Sequence, residues 1–221
     1  MKSIKESLLL FVFMSLATSA LAEMGVSLGH DLDDLWAQAQ ASYDLSLQDA
    51  VLLLESRHVT LGEGGSLATR VHTVVWIGTS VGIRSYADLR VPWNGETSTL
   101  DVEVLRTWRD ERWWPDPVAI SETAVVETLP HALRRADDYT AMRETMLLHV
   151  GVELPCIMET VYTITETGLP GSDGLFVMPQ RDPAVLVEFS LTAPDGTDLS
   201  HETLNGLGEP VVSAEAGVIT T

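Results

Sequence analysis

The chain reads as an all-β protein, a mostly antiparallel β-sandwich with one short N-terminal helix, and three observations predict it. From Asp49 onward, apolar and polar residues alternate with a period of two in segment after segment. Turns bearing glycine and proline separate these segments at fairly regular spacing, with no strand–helix–strand alternation between them. The chain has a single cysteine, Cys156, so no internal disulfide can form and the fold must rest on its core.

The first 22 residues, MKSIKESLLLFVFMSLATSALA, put Lys2 and Lys5 ahead of an apolar run from Leu8 to Leu16. Ala20 and Ala22 then stand where a signal peptidase needs small residues. This layout predicts a secretory signal peptide cleaved after Ala22, and hence a periplasmic or secreted protein. The run is short for a bilayer span. Residues 23–48 are expected to be a helical extension, because Leu32, Leu35, Trp36 and Ala39 recur at spacings of three and four behind possible caps at Asp31 and Asp33. Asp31, Asp33 and Asp34 lack the glycine and terminal glutamate of a calcium loop, so they read as charge at a helix N-terminus.

Residues 49–210 carry the predicted sandwich. AVLLLESRHVT and SLATRVHTVVWI flank the glycine-rich LGEGG and predict a hairpin, with Val71, Thr73, Val75 and Ile77 on one face and His72, Val74 and Trp76 on the other. IRSYADLRVPW is expected as the next strand. In TLDVEVLRTW, Leu100, Val102 and Val104 alternate with Asp101 and Glu103, the mark of a strand with one wet face. AMRETMLLHV and CIMETVYTIT supply two more strands, and Val185 to Leu191 a last long one, followed by a turn at Pro194-Asp195-Gly196 and a short return. The acidic, proline-rich stretches RWWPDPVAISETAVVETLPHALRRADDY and TGLPGSDGLFVMPQRDP are expected to be long loops with about one short strand each. Residues 211–221 read as the start of a truncated strand or a linker.

Charge excludes several functions. Of 13 basic and 32 acidic residues, the leader holds Lys2, Lys5 and Glu6, leaving 11 and 31, a net charge of −20. Such a chain repels nucleic acid and anionic lipid. All 11 remaining basic residues are arginine, which removes Schiff-base and pyridoxal chemistry. The histidines, at 30, 58, 72, 131, 149 and 201, show no pair at metal-binding helical spacing, and no GxSxG elbow or nucleotide loop is present. No metal or cofactor is expected. A catalytic cysteine of the papain or transglutaminase type sits at a helix N-terminus, whereas Cys156 opens an alternating strand, which favours a buried thiol over a nucleophile.

The segments DAVLLLESRHVTLGEGGSLATRVHTVVWI, RSYADLRVPWNGETSTLDVEVLRTW, GVELPCIMETVYTI and RDPAVLVEFSLTAPDGTDL resemble, in that order, the blocks of an exported bacterial family called domain of unknown function 3857. In the third block Gly151, Glu153, Glu159 and Tyr162 match the family pattern, while Leu154, Pro155 and Cys156 replace its usual Pro-Gly-Asp. The resemblance implies an exported β-sandwich module of the kind that precedes transglutaminase-like domains. It supplies no activity, since the family's catalytic machinery is expected in the following domain.

One constellation remains. Trp93, Trp108, Trp113 and Trp114 fall within 22 residues, interleaved with Arg106, Arg109 and Arg112 and with Asp110, Glu111 and Asp116. Either Trp93 and Trp108 belong to the core while Trp113 and Trp114 cover an edge or meet a neighbouring domain, or the group lines a carbohydrate- or peptide-binding groove. The expected surface comprises Trp93, Trp108, Trp113, Trp114, Arg109 and Arg112. The expected role is that of a non-catalytic scaffold or protein-binding domain accompanying a transglutaminase-like domain. The alternatives are a glycan-binding module using the same tryptophans, and a cysteine-dependent transglutaminase-like enzyme using Cys156.

Overall fold

The computed structural model describes residues 23–62, 64–116, 119–135, 140–168, 176, 181–203, 211–213 and 218–220. The expected signal peptide, and the short strand expected in the second long loop, fall outside them. A small hairpin of β1 (Val26–Ser27) and β2 (His30–Asp31) leads into α1 (Leu32–Ser42). Asp31 caps that helix by accepting from the Asp33 and Asp34 amides at 3.0 and 3.1 Å, as its acidic start predicts. Next come β3 (Ala50–Gly62), β4 (Ser66–Ile77), α2 (Ser80–Tyr86), β5 (Asp88–Asn94), β6 (Ser98–Arg109), β7 (Arg112–Trp114) and β8 (Val125–Thr128). They are followed by β9 (Met142–Leu148), β10 (Cys156–Glu166), β11 (Ala184–Thr192), β12 (Val211–Ser213) and β13 (Val218–Thr220).

The fold is all-β and largely antiparallel. Eight strands form one sheet in the order β12-β13-β11-β3-β4-β10-β6-β7, and β5, β9 and β8 form a second with β9 in the middle. The one parallel pairing described is β11 on β3. The second sheet packs on one face of the first, Val91, Leu147 and Ala124 meeting Leu105, with Leu100, Val102, Tyr162 and Ile164 against them. Beside it on the same face lies α2, over Ala50, Leu52, Val75, Ile77, Cys156 and Met158. Helix α1 covers the opposite face, burying Leu32, Leu35 and Ala39 with Val51, Leu53, Leu54, Val74, Trp76 and Ile157. The alternation read from β4 is therefore real, Val74 and Trp76 serving the helix face and Val75 and Ile77 the sandwich face. Each of these fully buried aliphatic side chains contributes about 1.5–3 kcal/mol.

Several expectations need correction. Residues 83–86 of IRSYADLRVPW belong to α2, not to a strand. Seven residues span too little of a helical period to register in the sequence, and the decisive features are the Thr79 cap on the Val81 amide at 3.1 Å and the packing of Ile83 and Tyr86. In β6 the alternation breaks. The register against β10 shifts between Val161 and Tyr162, which pair with Val104 and Val102 and leave Glu103 as an extra residue. Leu100, Val102 and Leu105 thus share the sandwich face, while Val104, Arg106 and Trp108 turn to the helix face. After the Pro194 turn, closed by the Thr197 amide on the Pro194 carbonyl at 3.2 Å, residues 197–203 form no return strand. Past the boundary drawn at 210, β12 and β13 pair with each other and β13 with β11, so this stretch extends the sheet.

Candidate functional site

Adjacent residues in a strand point to opposite faces, and β7 applies that rule to the tryptophans. Its register against β6 sets Trp113 opposite Trp108 and Trp114 opposite Thr107. Trp108 and Trp113 lie on the helix face, ring centroids 5.3 Å apart and edge to face, packed against the core under the N-terminal residues. The Trp113 indole donates to the Met24 carbonyl at 3.1 Å, and Arg106 lies over its ring at 3.9 Å. Trp93 stands apart in the second sheet, donating to the Thr145 hydroxyl at 3.0 Å. The structure therefore splits the six-residue surface expected from sequence. Trp93, Trp108 and Trp113 do structural work, and Trp114, Arg109 and Arg112 stay together.

Trp114 closes the edge strand on the sandwich face, with the guanidinium groups of Arg109 and Arg112 4.7 and 3.9 Å from its ring centroid, a clamp of two cation–π contacts. Arg109 also pairs with Glu153 and, at 3.7 Å, with Asp110, while Arg112 reaches Asp116 at 3.7 Å. The turn joining β6 to β7 holds Asp110 and Glu111 at φ 50° and 57°, the left-handed geometry of a two-residue hairpin turn. Gly151 lies against Trp114; at φ 75°, a Cβ there would sit 3.1 Å from the tryptophan's own Cβ. The same loop exposes Val150 and Leu154, both 41% accessible. The result is a half-buried indole with two guanidinium groups, two exposed aliphatics and a rim of carboxylates.

Cys156, at the start of β10, is 3% accessible and packs with Ile77 and Met158. Burial pushes its thiol up to about 11, against the opposing pull of the Glu153 backbone and the Arg109 charge. Little thiolate exists at neutral pH. Iodoacetamide at pH 7 is therefore expected to leave Cys156 unmodified while it consumes free thiol in the same tube, as followed by intact mass. Rapid alkylation of the folded protein would contradict this.

Sequence reasoning missed a second constellation, on the helix face. Glu159, 0% accessible, is the one acid among the inward positions of β10, between Ile157 and Val161. Its Oε1 accepts from the Ser27 hydroxyl and from His72 Nε2 at 3.0 Å, and its Oε2 from Arg106 Nε at 2.6 Å. Burial pushes this carboxyl up, but the hydrogen bonds from His72 and Ser27 and the Arg106 charge prevail, and the net shift is downward. The carboxylate is the hub, with serine and histidine as separate spokes. No imidazole stands between hydroxyl and acid, so the group lacks the relay order of a serine nucleophile. The signal available in sequence was a charged residue at an apolar phase of a strand.

Directly behind it on the sandwich face, His149 bridges the two sheets. The Arg106 carbonyl, 3.2 Å from Nδ1, can only accept, so Nδ1 carries the proton and Nε2 accepts from the Thr160 hydroxyl at 2.8 Å. Burial lowers this imidazole to about 4, outweighing the Arg106 carbonyl and the Glu159 charge, which favour protonation. Among the described residues no cluster of three or more His, Cys, Asp or Glu side chains is arranged to hold a metal.

Residues 63–220 match the family model described as a domain of unknown function with a solved structure, DUF3857. No curated protein matches the chain. Among solved structures, the chain is similar to one described as "a putative protease from Parabacteroides distasonis", with a TM-score of 0.70 and 23% identity over 78% of this chain. The match spans 34% of that longer protein. At this identity the likeness speaks to fold.

Proposed function

This chain belongs to the DUF3857 family, and on that premise we propose that it is an exported, non-catalytic module that binds a protein partner through its Trp114 edge. The observation that carries the reading is the clamp itself. An indole contacted by two guanidinium groups, packed beside the Gly151 loop that exposes Val150 and Leu154, and with Glu153, Asp110 and Asp116 paired to those arginines, has the apolar centre and charged rim of a protein-binding hot spot. Two guanidinium groups already lie over the Trp114 ring, so a sugar stacking there competes with an arginine. This favours a protein partner over a glycan. The buried thiol with its raised pKa weighs against a cysteine enzyme. The partner class we assign is a transglutaminase-like domain, and the signal-peptide pattern of the first 22 residues supports a site of action outside the cytoplasm.

The test is a calorimetric titration of the purified protein with a transglutaminase-like domain from the same host. Trp114→Ala is expected to weaken binding at least about tenfold, the scale of a hot-spot tryptophan, with the unfolding midpoint little changed. Equal binding by the variant, or none by the wild type, would refute the reading.

A further inference from the structure

The buried Glu159 hub has a cover. The residues ahead of α1 lie across it as a strap. The Met24 amide donates to Asp33 Oδ1 at 3.1 Å and the Gly25 amide to Asp33 Oδ2 at 2.9 Å. The Met24 carbonyl receives the Trp113 indole at 3.1 Å, and the Met24 side chain is buried in the helix-face core. Ser27 reaches down to Glu159. The far end is held by His30, 3.4 Å from Glu188 and with its ring 5.8 Å from that of His72. Between these anchors the strap is loosely held, with Val26 69% and Leu28 43% accessible. Apart from Met24, its fastenings are polar, two carboxylates of the sheet, Glu159 and Glu188, and one of α1, Asp33, taking part in them.

We propose that Met24–Asp31 is a strap fastened by carboxylates and released by acid, and that its release uncovers Arg106, His72 and Trp113 on the helix face. The charged and titratable groups around Glu159 set the sign. From β6 comes Arg106, a permanent cation; from β4, His72, which already donates through Nε2; from the strap itself, His30; from α1, Asp33; and from β11, Glu188. A proton on Glu159 removes the anion that holds the Ser27 hydroxyl, and a proton on Asp33 weakens the acceptor of two strap amides. Both act toward release. A proton on His30 strengthens its pair with Glu188, which opposes release. The strap therefore holds through neutrality. Its partners hold Glu159 below the ordinary carboxylate range, so its share of the release comes late, as pH falls through its folded-state value. This inference is independent of the partner proposed for Trp114.

The experiment is hydrogen exchange of the purified chain followed by NMR, with rates corrected for intrinsic pH dependence, at pH 7 and in steps down to pH 3. The reporters are the strap amides and the Trp113 indole N–H, with the amides of β4 and β10 as the core reference. Strap protection is expected to fall at least about tenfold, on the scale of one lost charge-assisted hydrogen bond, while the β4 and β10 amides stay the slower-exchanging set and respond to acid alike in the wild type and in Ser27→Ala. Ser27→Ala leaves the sheet residues intact, and should raise strap exchange already at pH 7 and flatten the acid response. Strap amides as well protected as the core amides at the lowest pH, a strap indifferent to pH, or a wild-type profile in Ser27→Ala would each overturn the proposal.

Discussion

Glu159→Gln is expected to lower the unfolding free energy by about 3–5 kcal/mol, the largest loss for any single polar substitution in this sheet. Removing one member of a buried ionic group leaves its partner charged and uncompensated, which costs far more than the pair contributes. Arg106 is the partner left behind, its guanidinium held at Glu159 on one side and over the Trp113 ring on the other. His72 also loses its acceptor. For a domain of this size, such a loss lowers the melting temperature by roughly 10 °C. A second variant separates charge from shape. If the cost is the stranded cation, then Glu159→Leu combined with Arg106→Leu should be more stable than Glu159→Leu alone. Urea unfolding of the set decides it, and a Glu159→Gln variant within 1 kcal/mol of wild type would show that the hub is dispensable.

Acid should destabilise the fold through His149 before it reaches the carboxylates. The folded imidazole titrates at about 4, against 6.5 for an unperturbed histidine. The unfolded chain therefore takes up a proton across that interval while the native state does not. The resulting stability, roughly 3 kcal/mol, is present in full above pH 6.5 and is lost progressively as pH falls toward 4. Unfolding free energies at pH 7.5, 6, 5 and 4.5 should trace this slope in the wild type. In His149→Gln the baseline drops, since Thr160 and the Arg106 carbonyl must adapt, and the slope across the interval flattens. Parallel curves for the two proteins would mean that His149 is protonated in the folded state or exchanges with solvent.

Glu159 and His149 belong to one construction seen from two sides. Arg106 and Glu159 face α1, while Thr107 and Thr160, one residue further on, face the second sheet and His149. The bulge at Glu103 makes this possible. It reverses the phase of β6 so that Arg106 arrives on the helix face opposite Glu159.

How much of this was legible in the sequence depends on the length of the signal. Strands β3, β4, β6 and β10 announce themselves through long runs rich in apolar and β-branched residues, alternating in part, and the Asp-capped helix α1 through its spacing and its cap. The helix α2 is too short for its period to show. A bulge is one residue, with no composition of its own, and so the face reversal in β6 was hidden. The partition into two sheets, and the parallel seat of β11, depend on which strands pair, which alternation does not encode. The tryptophans illustrate both sides. Their crowding in sequence suggested one surface, yet Trp113 and Trp114, as neighbours in a strand, had to diverge. Glu159 was visible as an acid in an apolar phase, but its partners Arg106, His72 and Ser27 lie 53, 87 and 132 residues away. No local pattern could have gathered them.

The most direct test of the central claim is crosslinking in the living host. A photoreactive residue replaces Arg112, beside the Trp114 clamp, and in a control replaces Val211, which is 70% accessible on the opposite edge strand of the main sheet. The account predicts a crosslink from position 112 to a transglutaminase-like domain, lost when Trp114→Ala is added, and none from position 211. Equal crosslinking from both positions, or none from 112, would contradict it.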